Sequence, residues 1–273
     1  MQIKDTLRQK RPNLRTAEFP SNVETHISMR TDQPPFKDVR VRQAVSLAID
    51  RQGMIDSSFE GAGNRQRGRA GGPRRLGAAD QRRWARARST SATIPRRPGD
   101  CLAAAGYPSG FAASLCFTTL WLDAPVHDNA QLILRDLKDV GITHEARPAR
   151  VRRLHRRAAY FGKFDSMTFG PQTPFLDPDN FLFGMHYPGE AKNQSHVDDP
   201  VVTDMLIRQR RIFDVAKRRE VIHDLQRYLA KQQYYVQLPS GIYVAVWDGA
   251  LKPAPDLATT TAAASWPPGS ERE

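Results

Sequence analysis

Residues Pro34–Met54 read PPFKDVRVRQAVSLAIDRQGM. The two prolines bias the approach to Phe36 toward extended backbone, and Asp38 stands where a side-chain oxygen caps a helix. Val41, Ala44, Val45, Ala48 and Ile49 then recur at the spacing of one buried helical face. The stretch predicts an amphipathic helix. Just upstream, Asn22–Met29 (NVETHISM) alternates Val23, Thr25, Ile27 and Met29 with polar residues, as a half-buried strand does.

Downstream, Ala103–Gly106 reads as a helix end with glycine on its C-terminal side, and Tyr107-Pro108-Ser109-Gly110 as a turn. Phe111–Thr118 follows as a strand. Asn129–Val140 places Ala130, Ile133, Leu134, Leu137 and Val140 on one helical face, with Gly141 as its stop and Gly-Ile-Thr as a new strand, a βαβ-like unit. Phe164–Phe169 reads as a short strand opening the loop Gly170–Phe181 (GPQTPFLDPDNF). Two helices are expected at Val201–Phe213 and Lys217–Gln232, the first carrying Met205, Leu206, Ile212 and Phe213 on its apolar face. Tyr234–Leu238 and Ile242–Trp247 are strand candidates, and the tail from Lys252 is rich in Pro, Ala and Thr.

A chain of 273 residues is long enough for one large or two ordinary domains. Its charge of +12 is unevenly spread: Asn64–Gly99 holds eleven arginines against Asp80 alone and so supplies nearly all of it. That stretch shows neither a helical nor a strand period and reads as a disordered basic segment. Arg147–Arg157 adds six arginines, a pattern usual for a solvated helix face. Met1–Arg15 is charged and polar where a signal peptide needs an apolar core, and no window reaches the roughly 18 apolar residues of a membrane span. Cys101 and Cys116 lack metal spacing and read as free thiols. No nucleotide-binding, metalloprotease, nucleophile-elbow or redox motif is present, so no catalytic residue, metal ligand or cofactor is assigned.

The order Pro35, Phe36, Asp38, Arg40, Arg42, Ala44, Ala48, Ile49, Asp50 and Arg51 resembles a signature of the extracytoplasmic solute-binding proteins of family 5, the peptide-, dipeptide- and nickel-binding receptors of ABC importers. The resemblance covers Asn22–Gly63 and Cys101–Leu251 and fails in Asn64–Gly99, where length is kept and wording lost, as two compensating frameshifts would leave it. Members of the family are longer, with two lobes closing on a ligand by hinge motion. The resemblance therefore implies an α/β, periplasmic-binding-protein-like (type II) fragment: the second lobe plus the C-terminal return segment. Within it, residues 1–63 hold the strand and signature helix, 64–100 the Arg/Gly-rich segment, 101–251 the α/β remainder and 252–273 an irregular tail.

In the resembled family a Gly-Trp-x-x-Asp run before an Asp-Pro lines the cleft, and its acidic residue grips the amino group of a bound peptide. The corresponding stretch here is Phe169, Gly170, Pro171, Gln172, Thr173 and Pro174, with proline at both the tryptophan and the aspartate positions. Proline neither neutralises nor hydrogen-bonds an ammonium group, and a charge buried unpaired costs several kcal/mol. Gln172 and Thr173 offer neutral hydrogen bonds suited to an amide, a sugar or an opine-like solute. The candidate ligand residues are Phe169, Gly170, Gln172, Thr173, Asp177 and Asn193. Asp177-Pro178-Asp179-Asn180 departs from a calcium loop and reads as a turn capping a helix through Asp179 or Asn180.

The resemblance implies a non-enzymatic, periplasmic or extracytoplasmic binding protein whose partners are a peptide or other small solute and an ABC importer permease. A single lobe is expected to bind its solute weakly, because pockets bury most of a ligand's surface. The alternative is a basic nucleic-acid-binding protein acting through residues 64–100. Salt-sensitive retention of DNA or RNA discriminates for it.

Overall fold

The computed structural model describes residues 10–11, 13–20, 24–59, 61, 63–64, 97–117, 124–144, 161–172 and 177–248. Expectations for Arg65–Arg96, for Arg147–Arg157 and for the tail from Lys252 lie outside those residues.

Among the described residues nine strands form three sheets. In the first, β1 (Leu14–Pro20) runs antiparallel to β9 (Ser240–Asp248), which also pairs with β3 (Gly63–Asn64). The second has the order β5 (Leu115–Phe117), β7 (Met167–Gln172), β2 (Glu24–Met29), β8 (Tyr235–Gln237), with β5 and β7 parallel and the other pairs antiparallel. The third is a parallel pair, β4 (Phe111–Ala113) and β6 (Ile142–His144), joined by a helix at Ala124–Asp139 as the βαβ reading requires. Phe111–Thr118 thus makes two strands, because the chain changes sheets at Ser114, whose carbonyl accepts the Met167 N–H at 3.0 Å.

The signature stretch forms two helices. Asp38 caps α1 (Val39–Ala48) by accepting from the Arg40 N–H at 2.8 Å. Ile49 leaves the helical region at ψ 119°, and Asp50 then caps α2 (Arg51–Ser58) through the N–H groups of Gln52 and Gly53. Residues 34–37 are turns, with a cis Pro34–Pro35 peptide, where the sequence suggested extended chain. Arg40 stays at the surface paired to Asp38, whereas Arg42 is 3% exposed. Arg42 donates to the carbonyls of Phe36 and Lys37, each at 2.9 Å, and of Gln232 at 2.7 Å. The second arginine of the signature therefore ties the start of α1 to the far end of the chain.

Helix α3 (Pro98–Ala104) leads through the expected turn into β4, and α4 (Ala124–Asp139) stops at Gly141, φ 90°. Gly110, φ 74°, lies so close to Gly141 that a Cβ on it would stand 1.9 Å from the Gly141 carbonyl oxygen. Helices α5 (Pro178–His186), α6 (Pro200–Arg210) and α7 (Val215–Gln232) follow. Helix α6 ends earlier than its apolar residues suggest: Asp214 caps α7, and Phe213 between them is 98% exposed. Cys101 and Cys116 are free thiols.

The second sheet lies between two cores. On one face Ile27, Met29, Leu115, Met167, Phe169 and Val236 join Val41, Ala44 and Val45 of α1 and Ala130, Ile133 and Leu137 of α4. Beyond the other face Leu182, Met185, Val202, Leu206, Ile222 and Leu225 of the last three helices pack with Tyr235. Each fully buried side chain of this kind contributes about 1.5–3 kcal/mol. The double covering explains a departure from expectation: β2 is buried on both faces, and the polar residues of its alternation, His26 and Ser28, are 1% and 0% exposed.

Candidate functional site

Two direct chain crossings join the first and second sheets, one between β1 and β2 and the other at Leu238–Pro239 between β8 and β9. They are stitched together: the Leu238 N–H donates to the Thr25 carbonyl at 2.9 Å, and Thr25 Oγ1 donates to the Pro239 carbonyl at 3.2 Å. The carboxyl end of β7 arrives beside them, Gln172 pairing with Glu24. In open α/β sheets such strand ends, where the topology switches, are the usual place for a ligand.

One face of the sheet near this edge is polar. Residues opposite one another on paired strands project to the same side. Gly170, His26 and Gln237 form one row across β7, β2 and β8, and Thr168, Ser28 and Tyr235 form the next row inward. The inner row is sealed by the segment 193–197. Ser28 Oγ donates to Gln194 Oε1 at 3.0 Å, and the Met29 N–H to Ser195 Oγ at 3.2 Å. Ser195 Oγ in turn donates to the Tyr234 carbonyl at 2.9 Å. The Tyr235 hydroxyl accepts the Ser195 N–H at 3.2 Å and donates to the Met185 carbonyl at 2.7 Å.

The Tyr235 ring stands between two buried imidazoles, His26 and His186, each edge-on to it at 5.2 Å between centroids. Burial lowers the His26 pKa to about 4, aided by His186 and opposed by a hydrogen bond to Gln194. Burial likewise lowers His186 to about 4, opposed by the bond of its Nδ1 to the Leu182 carbonyl, 2.9 Å. Both rings are neutral at pH 7, and burial raises the Tyr235 phenol. These two rows therefore present neutral hydrogen-bonding groups.

The residues singled out in the sequence divide between strand and cap. Phe169 lies in β7, in keeping with the strand expected to end there, although β7 runs on past it, and its ring is 2% exposed in the first core. Gly170 and Gln172 also belong to β7, opposite His26 and Glu24. Thr173 lies outside the described residues. Asp177, rather than Asp179 or Asn180, caps α5, accepting from the Asp179 N–H at 2.8 Å. Burial pushes the Asp177 carboxyl up, but Arg218 and that N–H outweigh it and its pKa is lowered. Asn193 is buried and closes its own turn, accepting from the Val197 N–H and donating to the Val197 carbonyl, both at 2.8 Å. The structure thus gathers Phe169, Gly170 and Gln172 on one strand, while Asp177 and Asn193 spend their side chains on local structure.

An open hollow of about 340 Å³ beside Asp177 includes Asp179, Arg210, Phe213 and Arg218. Its charges are already matched, Arg218 with Asp177 at 2.7 Å and Arg210 with Asp179 at 2.8 Å. The candidate face at His26 and Gln237 escaped sequence reasoning, because a polar alternation reads as a solvated strand face until the helices that cover it are known. The polar run Asn193-Gln194-Ser195 was the available signal. Among the described residues no group of three His, Cys, Asp or Glu side chains could hold a metal ion, and no helix is long and apolar enough to cross a membrane.

Comparison with known proteins gives a consistent picture. The family model for bacterial extracellular solute-binding proteins, family 5 (Middle), matches residues 2–193 and so runs through the arginine-rich segment. A probable di/tripeptide-binding protein 5 of Pseudomonas aeruginosa is 25% identical over 240 residues, 84% of this chain and 43% of that protein. The glutathione-binding protein GsiB of Escherichia coli is 31% identical over 141 residues, 50% of this chain and 25% of that protein. Among solved structures, HbpA2 from Haemophilus parasuis superposes with a TM-score of 0.71 at 19% identity, covering 90% of this chain and 48% of that one. The periplasmic binding protein DppA from Helicobacter pylori, in complex with the peptide STSA, gives 0.68 at 20% identity, covering 92% and 48%. The chain spans less than half the length of these relatives.

Proposed function

Since the chain belongs to the bacterial extracellular solute-binding proteins of family 5, we propose that it supplies one wall of a receptor for a peptide or similar small solute, captured outside the cytoplasmic membrane and passed to the permease of an ABC importer. The observation that carries this reading is the end of β7 at the paired crossings between two sheets. There Gly170 and Gln172 stand near the carboxyl end of β7, opposite His26 and Glu24 of the strand that follows the first crossing. Relatives named for di/tripeptides and glutathione, and one solved with a bound peptide, support a peptide as the solute.

The chemistry of the edge narrows that class. Proline occupies position 174, where the family pattern has its acidic residue, and the described part of the face offers neutral groups. A peptide with a blocked amino terminus should therefore bind at least as well as one with a free amine. The test is titration of the isotope-labelled full chain with trialanine and with N-acetylated trialanine amide, followed by amide chemical shifts, which register millimolar binding. Saturable shifts clustered near β7, with the blocked peptide at least as tight, are expected. Clear preference for the free amine overturns the assignment of the solute's terminus. Absence of saturable binding to either peptide, together with salt-sensitive retention of an oligonucleotide, overturns the receptor reading in favour of nucleic acid.

A further inference from the structure

Three features coincide in the outer row of the polar face. Gln237 Oε1 is buried and, among the described residues, has no hydrogen-bond partner. His26, 1% exposed, has its Nδ1 buried and unpartnered in the same way. Gly170, which completes the row, has nothing among the described residues within 4 Å of the position a Cβ would take, and its φ is not in the left-handed region that favours glycine. The missing side chain is therefore a gap in the face, not a requirement of the backbone.

An acceptor buried without a donor is costly, and such orphaned atoms are rare enough in folded proteins to need a cause. The inner row, Ser28 and Tyr235 with Gln194 and Ser195, is hydrogen-bonded throughout. Of these two rows, the one left wanting among the described residues is the one beside the gap. A carboxamide oxygen only accepts, and a neutral imidazole whose other nitrogen is engaged by Gln194 has one hydrogen bond left. No formal charge stands in the row, so a charged group placed there would lose its hydration without compensation.

Building on the solute-binding reading above, we propose that the gap beside Gly170 is a subsite for a neutral amide N–H of the solute, accepted by Gln237 and bounded by the His26 ring. The solute class that follows is one with internal amides, a peptide backbone or its end-blocked equivalent, in preference to a sugar or a free amino acid.

The test uses the labelled full chain and N-acetylated trialanine amide, with an analogue methylated on its backbone nitrogens that keeps shape and loses the donors. Saturable shifts of the Gly170 amide, the His26 ring and the Gln237 carboxamide are expected. Binding should weaken about tenfold with the methylated analogue, and by a similar factor in Gln237→Leu. Gly170→Val, which fills the gap with a residue suited to a strand, should abolish the His26 shift while the rest of the amide spectrum stays that of the folded protein. Equal binding of the methylated analogue, unchanged binding in both variants, or saturable shifts that map elsewhere would overturn the subsite and leave the receptor reading standing. No saturable binding of any peptide overturns both.

Discussion

Lowering the pH from 7.5 to 5 should weaken the fold while most carboxylates remain ionised, through His26 and His186. Each ring is enclosed between the sheet and the last three helices, and each has its pKa lowered from 6.5 to about 4, chiefly by burial. An unfolded histidine takes up a proton as pH falls below 6.5, whereas these two stay neutral in the folded state until about pH 4. Between those limits the unfolded state binds more protons, so stability falls as pH falls, and it is flat above the window. At about pH 5 each histidine costs about 2 kcal/mol relative to neutral pH, so the pair costs about 4 kcal/mol, a large share of a typical net stability of 5–15 kcal/mol. Because the two rings flank Tyr235, the first proton to enter the folded protein makes the second harder to add. The loss per pH step should therefore be steepest near the middle of the window, where the unfolded histidines are protonated and the folded ones are not, and should continue below about pH 4.

Urea unfolding at a series of pH values, read by circular dichroism, measures the loss, and the imidazole C–H resonances report each folded pKa directly. The double variant His26→Phe/His186→Phe keeps an aromatic edge against Tyr235 and removes both protons. Its stability should be nearly independent of pH between 7 and 5. The argument is refuted if either ring in the folded protein titrates near 6.5, or if the variant loses as much stability over that interval as the native chain.

Arg42→Met should destabilise the fold by about 3 kcal/mol, since three buried or partly buried carbonyls lose a charged donor; a urea midpoint within error of the native one contradicts the bridging role. Gly110→Ala forces a Cβ against the Gly141 carbonyl and a φ of 74° on alanine, and should cost about 2 kcal/mol or more, with amide exchange quickening first in β4 and β6. Asn193→Ala frees the Val197 N–H and carbonyl and should cost about 2 kcal/mol. If Asn193 served only the solute, its loss would leave the melting temperature unchanged.

The local words of the sequence carried much of this protein. Asp38 before an apolar period, the Gly141 stop and the strand–helix–strand order from Phe111 to Ile142 are local signals, set by capping, backbone freedom and side-chain spacing within a few residues. They appear in the structure as they read in the chain, and the long signature Pro35–Arg51 identified the family. What remained hidden depended on residues far apart in the sequence. The end of α1 at Ile49 turns on Asp50 serving as a second cap, its own N–H donating to Asp136 at 2.8 Å, 86 residues away. The strand from Met167 runs on through Gly170 and Pro171 because β2 lies beside it, so a stretch whose glycine and prolines promise a loop is held extended. Above all, His26 and Ser28 look like the wet side of a strand, and only the docking of α5, α7 and the 193–197 segment over that side makes them buried. Burial is a property of the packed whole. Alternation tells which residues share a face, and what covers that face is decided by chain that arrives more than a hundred residues later.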